Sequence, residues 1–130
     1  MESSTMGQTS ELLGVSIDTV RRWADADRFP THREGNRRIV EGTDLAAVCV
    51  EVAQEGGVGE EAPYPSARNA FPGIVTAVKL GDVAAQVEVQ AGPHRVVPLL
   101  TREAVMELAL EPGMTVTARV KSTSVHIERG

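Results

Sequence analysis

The sequence predicts an α+β chain of two small units: a helical N-terminal block and a C-terminal β block closing as a five-stranded barrel with one short helix. Three observations carry this. Apolar residues recur at helical spacing up to about residue 53, and at a period of two after residue 73. Between them, Gln54 to Pro65 is rich in Gly, Glu and Pro with almost nothing to bury, and reads as a flexible linker. The 130 residues therefore divide into 1–53, a linker 54–65, and 66–130. Units of this size bury only about 60% of their unfolded surface, so association with further copies is expected.

In the first block, Thr5 with Gln8 three residues later matches a capping box and opens a helix through Leu13. Gly14 permits the left-handed turn that ends it. Ser16 N-caps a second helix to about Ala26, with Ile17, Val20, Trp23 and Ala24 on one face and Asp18, Arg22 and Asp25 opposite. Pro30 stops it. Gly35-Asn36 signals a hairpin within Arg33 to Val40. Thr43 or Asp44 caps a third helix carrying Leu45, Val48, Cys49 and Val52.

In the second block, Ile74 to Leu80 reads as a strand ending at Gly81-Asp82. Val83, Ala85, Val87 and Val89 alternate with Ala84, Gln86, Glu88 and Gln90 as the next strand. Gly92-Pro93 turns the chain into Arg95 to Leu100. Thr101 caps a short helix to about Ala109 with Val105, Leu108 and Ala109 as its buried face. Pro112-Gly113 leads into Met114 to Val120, and Val125 to Glu128 supplies a last strand. Three strands, a helix and two strands at this length predict an OB-type Greek-key barrel.

Composition narrows the function. Cys49 is the only cysteine, which excludes an intrachain disulfide and a cysteine-rich zinc site. No apolar run is long enough to span a membrane and no signal peptide opens the chain, so a cytoplasmic protein is expected. Net charge is −5, yet every basic residue in 1–53 is an arginine, clustered at Arg21-Arg22, Arg28, Arg33 and Arg37-Arg38. A planar guanidinium suits phosphate and guanine edges, so a local arginine footprint can bind double-stranded DNA from an acidic chain. No nucleophile with a nearby base, paired carboxylates or cofactor loop points to an enzyme.

Gly7 to Trp23 contains Ser-Glu-Leu-Leu-Gly-Val-Ser followed by Arg21-Arg22-Trp23. This resembles the N-terminal motif of MerR-type and excisionase-like winged helix-turn-helix proteins. Gly35-Asn36-Arg37-Arg38-Ile39-Val40 and then Asp44-Leu45 resemble their wing and following helix. The polar face of the second helix can enter a major groove, where Ser16 and Thr19 bond phosphate or base edges and Arg21 and Arg22 reach phosphate or guanine. Arg37 and Arg38 follow the tight turn and can grip backbone or minor groove. Trp23 is expected to fill the core between helices. The long coiled-coil helix by which MerR proteins dimerise is absent, and so is their metal-binding cysteine loop.

Ser66-Ala67-Arg68-Asn69-Ala70-Phe71-Pro72-Gly73 resembles the opening of Mop, or TOBE, domains. Lys79 to Asp82, Leu100 to Ala104 and Lys121 to Val125 continue that resemblance in order. It implies molybdate or tungstate held between subunits, with the Ser66–Arg68 segment meeting Thr101, Lys121 and Ser122 across a boundary. It also implies a dimer-based homo-oligomer, expected as a hexamer. A tetrahedral dianion unprotonated near neutral pH needs donors and positive charge. Ser66, Ala67, Arg68, Lys121 and Ser122 offer hydroxyl, guanidinium, ammonium and amide groups, and Thr101 opens a helix whose free N–H groups run to Ala104. His94 and His126 have no second ligand at metal spacing, and His32, beside the wing, is expected to touch phosphate. The resulting expectation is a molybdate-responsive DNA-binding regulator. The alternative is a molybdate store carrying a DNA-binding head, favoured by a linker too flexible to transmit coupling.

Overall fold

The computed structural model describes residues 2–55 and 69–130, in two sheets and four helices. Ser66, Ala67, Arg68 and the linker beyond Glu55 lie outside the described residues.

In the N-terminal unit, α1 (Met6–Leu13) begins at the capping box read from the sequence: the Gln8 N–H donates to Thr5 Oγ1 at 3.2 Å, and the Thr5 N–H to Gln8 Oε1 at 2.9 Å. Gly14, at φ 69°, closes it. The Ser16 hydroxyl caps α2 (Ile17–Asp25). The hairpin forms as β2 (His32–Glu34) and β3 (Arg37–Glu41). A third strand, β1 (Ser3–Thr5), adds to β3 and was not expected: three residues ending on a helix cap carry no readable alternation.

The third helix departs from expectation at its start. α3 (Gly42–Gln54) begins ahead of Thr43 and Asp44, and no side chain caps it. The Gly42 N–H donates instead to the Glu2 carbonyl at 2.8 Å, a partner forty residues away that local pattern cannot reveal. Leu45, Val48, Cys49 and Val52 are buried as read. They pack with Met6, Leu13, Val20, Ala24, Phe29 and Val40 into one core. Trp23 only borders that core, and the Arg28 guanidinium lies 4.5 Å from its ring centroid.

In the C-terminal unit, β4 (Ala70–Leu80) and β5 (Ala84–Ala91) form the centre of the sheet. Ala85, Val87 and Val89 are buried in the predicted alternation, while Val83 stays outside the strand and exposed. The single strand expected over Arg95–Leu100 divides into β6 (His94–Val96) and β7 (Leu99–Thr101), because Pro98 between them has no N–H to donate. Both pieces pair with β5. α4 (Arg102–Leu108) buries Val105 alone; Leu108 and Ala109 are exposed. β8 (Thr115–Arg119) pairs with β4.

The barrel does not close. The sheet order is β6-β5-β4-β8 with β7 also on β5, and the strand expected at Val125–Glu128 is absent: a short 3-10 turn (Ser122–Ser124) leads into extended, exposed chain. A backbone segment forms a strand only where another strand edge receives it, and no edge among the described residues does.

The two units share β4. Successive strand residues point to opposite faces. Ile74 enters the N-terminal core beside α3, and Val75 enters the core of the open barrel with Ala85, Val87, Val89 and Val105.

Candidate functional site

The N-terminal unit carries a cleft of about 690 Å³ between the start of α1, α2 and the hairpin. Its lining includes Gln8, Arg21, Arg33, Arg37 and Arg38, with Asp25 as the one carboxylate. Four guanidinium groups against one acid make this a strongly electropositive concavity on an acidic chain. The hairpin sets Arg33 opposite Arg38 and Arg37 opposite Glu34, and its arginines line the cleft together with Arg21 of α2.

The arginines are not equivalent. Arg22, Arg33 and Arg37 are exposed and make no ion pair among the described residues. Arg21 lies 3.8 Å from Asp18 on the open surface of α2, too long and too solvated to hold it. Arg38 is braced: its guanidinium donates to Asp25 at 2.6 Å and to Thr31 Oγ1 at 2.9 Å. That pairing ties the hairpin to the end of α2, so Arg38 shapes the cleft instead of reaching outward. Arg28 is withdrawn altogether, stacked on Trp23 and bonded to Glu51 and Glu55 of α3. Ser16 and Thr19 bond each other, hydroxyl to hydroxyl at 2.9 Å, while the Ser16 oxygen also accepts the Thr19 N–H. Arg33, counted in the arginine footprint but given no contact of its own, lines the cleft; its place opposite Arg38 across the hairpin was the available signal.

The second candidate site is dispersed within one chain. Thr101 pairs with Ala84 of β5, beside the Leu80 end of β4. Lys121 and Ser122 follow β8, whose Arg119 lies opposite Ala70 at the other end of β4. The Val120 N–H donates to the Asn69 carbonyl at 3.0 Å, fixing that end. A strand from Ala70 to Leu80 spans on the order of 30 Å. One chain therefore cannot bring Thr101 and Lys121 to one small anion.

Around Thr101 the local chemistry agrees. Asp82, Val83, Arg102, Glu103 and Met106 complete the neighbouring depression of about 510 Å³, and its two carboxylates repel a dianion. The helix amide expected at Ala104 is already used: it donates to Thr101 Oγ1 at 3.0 Å, as the cap of α4 requires. The Arg102 N–H goes to the Val83 carbonyl at 2.8 Å. The Thr101 hydroxyl, accepting one bond, keeps its own proton free to donate. Lys121 and Ser122 are exposed at the opposite end.

Among the described residues no cluster of His, Cys, Asp and Glu fits a metal ion, and no helix is long and apolar enough to cross a membrane.

Comparison with known proteins places both halves. The helix-turn-helix domain family matches residues 5–48, and the TOBE domain family matches residues 65–127. Over 63 residues, 48% of this chain and 93% of the other, the sequence is 40% identical to molybdenum-pterin-binding protein 2 of Clostridium pasteurianum. Two solved structures are similar to the same half. MopII from Clostridium pasteurianum, in an apo form, is 38% identical with a TM-score of 0.47, covering 49% of this chain and 97% of that one. A molybdate binding protein from Sporomusa ovata is 30% identical with a TM-score of 0.47, covering 52% and 100%.

Proposed function

The chain belongs, through residues 65–127, to the TOBE domain family, and from that membership we propose that it is a molybdate-responsive DNA-binding regulator. Molybdate, or tungstate, binds between copies of the barrel half, in a cytoplasmic homo-oligomer built from dimers, with a hexamer as the expected size. The helix-turn-helix half reads double-stranded DNA in the MerR-like manner, α2 in the major groove and the β2–β3 hairpin as a wing.

The separation of Thr101 from Lys121 along β4 carries the reading of an intersubunit site. A second copy is what can place the Thr101 hydroxyl of one chain against Lys121 and Ser122 of another, with Ser66, Ala67 and Arg68 adding donors. Charge-assisted bonds from an ammonium and a guanidinium are roughly twice as strong as neutral ones, and they gain further where the interface excludes water. The open barrel supports association independently. Val75, Val87, Val89, Leu100, Leu110 and Met114 line an apolar trough of about 430 Å³ that one chain leaves uncovered.

Complementation tests this. Lys121→Ala removes the ammonium and should weaken molybdate binding by roughly ten- to a hundredfold. Thr101→Asp keeps a helix cap but sets a carboxylate against the dianion, and should abolish binding. Mixing the two proteins with subunit exchange should regenerate sites that contain wild-type Thr101 and wild-type Lys121, and with them part of the lost capacity. Calorimetry showing no recovery, with exchange confirmed by mass, would refute the shared site. Operator affinity measured with and without molybdate separates regulator from store: a store leaves it unchanged.

A further inference from the structure

We propose that Glu2, Gly42 and Gly113 form a coupling seam that makes head and barrel one cooperative body, so that oxyanion bound by the barrel is felt at the DNA cleft. This rests on the reading above and adds its route.

The seam is a direct approach of backbone to backbone. A Cβ on Gly42 would collide with the Gly113 carbonyl, and one on Gly113 would lie 2.6 Å from the Thr43 nitrogen. Gly42 stands in the first turn of α3 with an ordinary helical backbone, where alanine is intrinsically preferred. Nothing in its own conformation calls for glycine; the facing turn does. That turn is fixed to the barrel: the Gly113 N–H donates to the Val75 carbonyl at 2.8 Å, and the Val75 N–H to the Met114 carbonyl at 2.9 Å.

Glu2 closes the seam from the head. Its carboxylate accepts the Thr115 N–H at 3.0 Å and the Thr115 hydroxyl at 2.7 Å, while its carbonyl accepts the Gly42 N–H at 2.8 Å. One residue thus holds the start of α3 and the start of β8 together. Buried Ile74 fills the head core from the other side.

Both functional ends connect rigidly to this point. From Thr115, β8 runs to Lys121 and Ser122 over roughly 20 Å of extended chain. From Glu2, β1 runs along β3 of the hairpin to Thr5, which lines the arginine cleft with Gln8 of α1. The stretch between the units in sequence is therefore not the route: the contact bypasses it.

Trp23 is the only tryptophan and lies in the head, so its fluorescence reports that unit alone. The full-length protein is heated with and without molybdate while Trp23 emission and far-ultraviolet ellipticity are followed, and molybdate binding is measured by calorimetry. In the unmodified chain the two signals should melt together. At a hundredfold excess over its dissociation constant, molybdate should raise the Trp23 midpoint by roughly 5–10 °C. Gly42→Ala should separate the two melting curves and abolish the molybdate shift at Trp23, while calorimetric binding persists. Glu2→Ala, a milder break that leaves every backbone bond, should reduce the shift and serves where Gly42→Ala does not fold. Molybdate that binds without moving Trp23, or a full shift retained in a folded Gly42→Ala or Glu2→Ala protein, overturns the seam. If molybdate does not bind, the proposed function fails, and the melting curves alone decide the seam: non-coincident curves in the unmodified chain overturn it.

Discussion

The two halves of this molecule finish their cores in opposite ways. The head surrounds Leu13, Val20, Val40, Leu45 and Val52 completely, with only Ile74 borrowed from β4. The barrel half gathers only Val75, Ala85, Val87, Val89 and Val105 into its core cluster, with Ala70 and Ala91 buried beside it, leaves its sheet open, and exposes Leu99, Met106, Leu108 and Ile127. The difference lies in residue size and shape. Helices of eight to thirteen residues present Met, Leu and Val to one another from three directions. A curved sheet of Val and Ala has too little side-chain volume to fill its own concave face. The first unit closes its core as folded, whereas the second leaves an apolar trough uncovered in one chain.

Deleting core volume from the head should give the largest effect. Leu45→Ala is expected to cost about 2–5 kcal/mol, read from urea unfolding of Trp23. A loss below about 1 kcal/mol would mean that the head core is not closed. The arginines come next. Arg22→Ala or Arg37→Ala should weaken DNA binding by roughly 1–3 kcal/mol if a base edge is lost, or flatten the salt dependence by about one unit if a phosphate is lost. Arg38→Ala should also lower stability, since Asp25 and Thr31 lose their partner, and parallel affinity and melting measurements distinguish the two roles.

Cys49 tests closure of the head through pH. Burial pushes its thiol up to about 12 from an ordinary 9.0. The folded state therefore favours the neutral thiol, and its stabilisation is complete below about pH 9 and lost as pH rises toward 12. Unfolding free energy should fall over that window by up to about 1.4 kcal/mol per pH unit. Cys49→Ala should flatten the slope, and an unchanged slope would show that water reaches the site. The smallest effect concerns the barrel. Leu108→Ala should change stability at low protein concentration by no more than about 0.5 kcal/mol, because the side chain is exposed in one chain. The same variant should weaken self-association in light scattering. A large loss of stability with unchanged mass would place Leu108 inside a closed barrel.

Features set by neighbours along the chain are legible in the residues themselves. Thr5 and Gln8 satisfy each other within one turn, Ser16 caps its own helix, Gly35-Asn36 reverses the hairpin, and Ala85, Val87 and Val89 fall on one face by strand geometry alone. The helix-turn-helix and TOBE motifs are likewise readable as ordered residue strings.

What the tertiary structure decided involves partners far apart in the chain. Gly42 rather than Thr43 starts α3 because Glu2 supplies the acceptor. Arg38 is braced by Asp25 and Thr31, and Arg28 by Trp23, Glu51 and Glu55, partners distant in the chain. Val125 to Glu128 has strand composition but no strand edge to receive it among the described residues. Thr101 and Lys121 fall at opposite ends of β4 through strand registers that no residue pattern states. Local hydrogen bonds and side-chain periodicity are written in consecutive residues, while pairing edges, ion-pair partners and shared core walls exist only once distant segments meet.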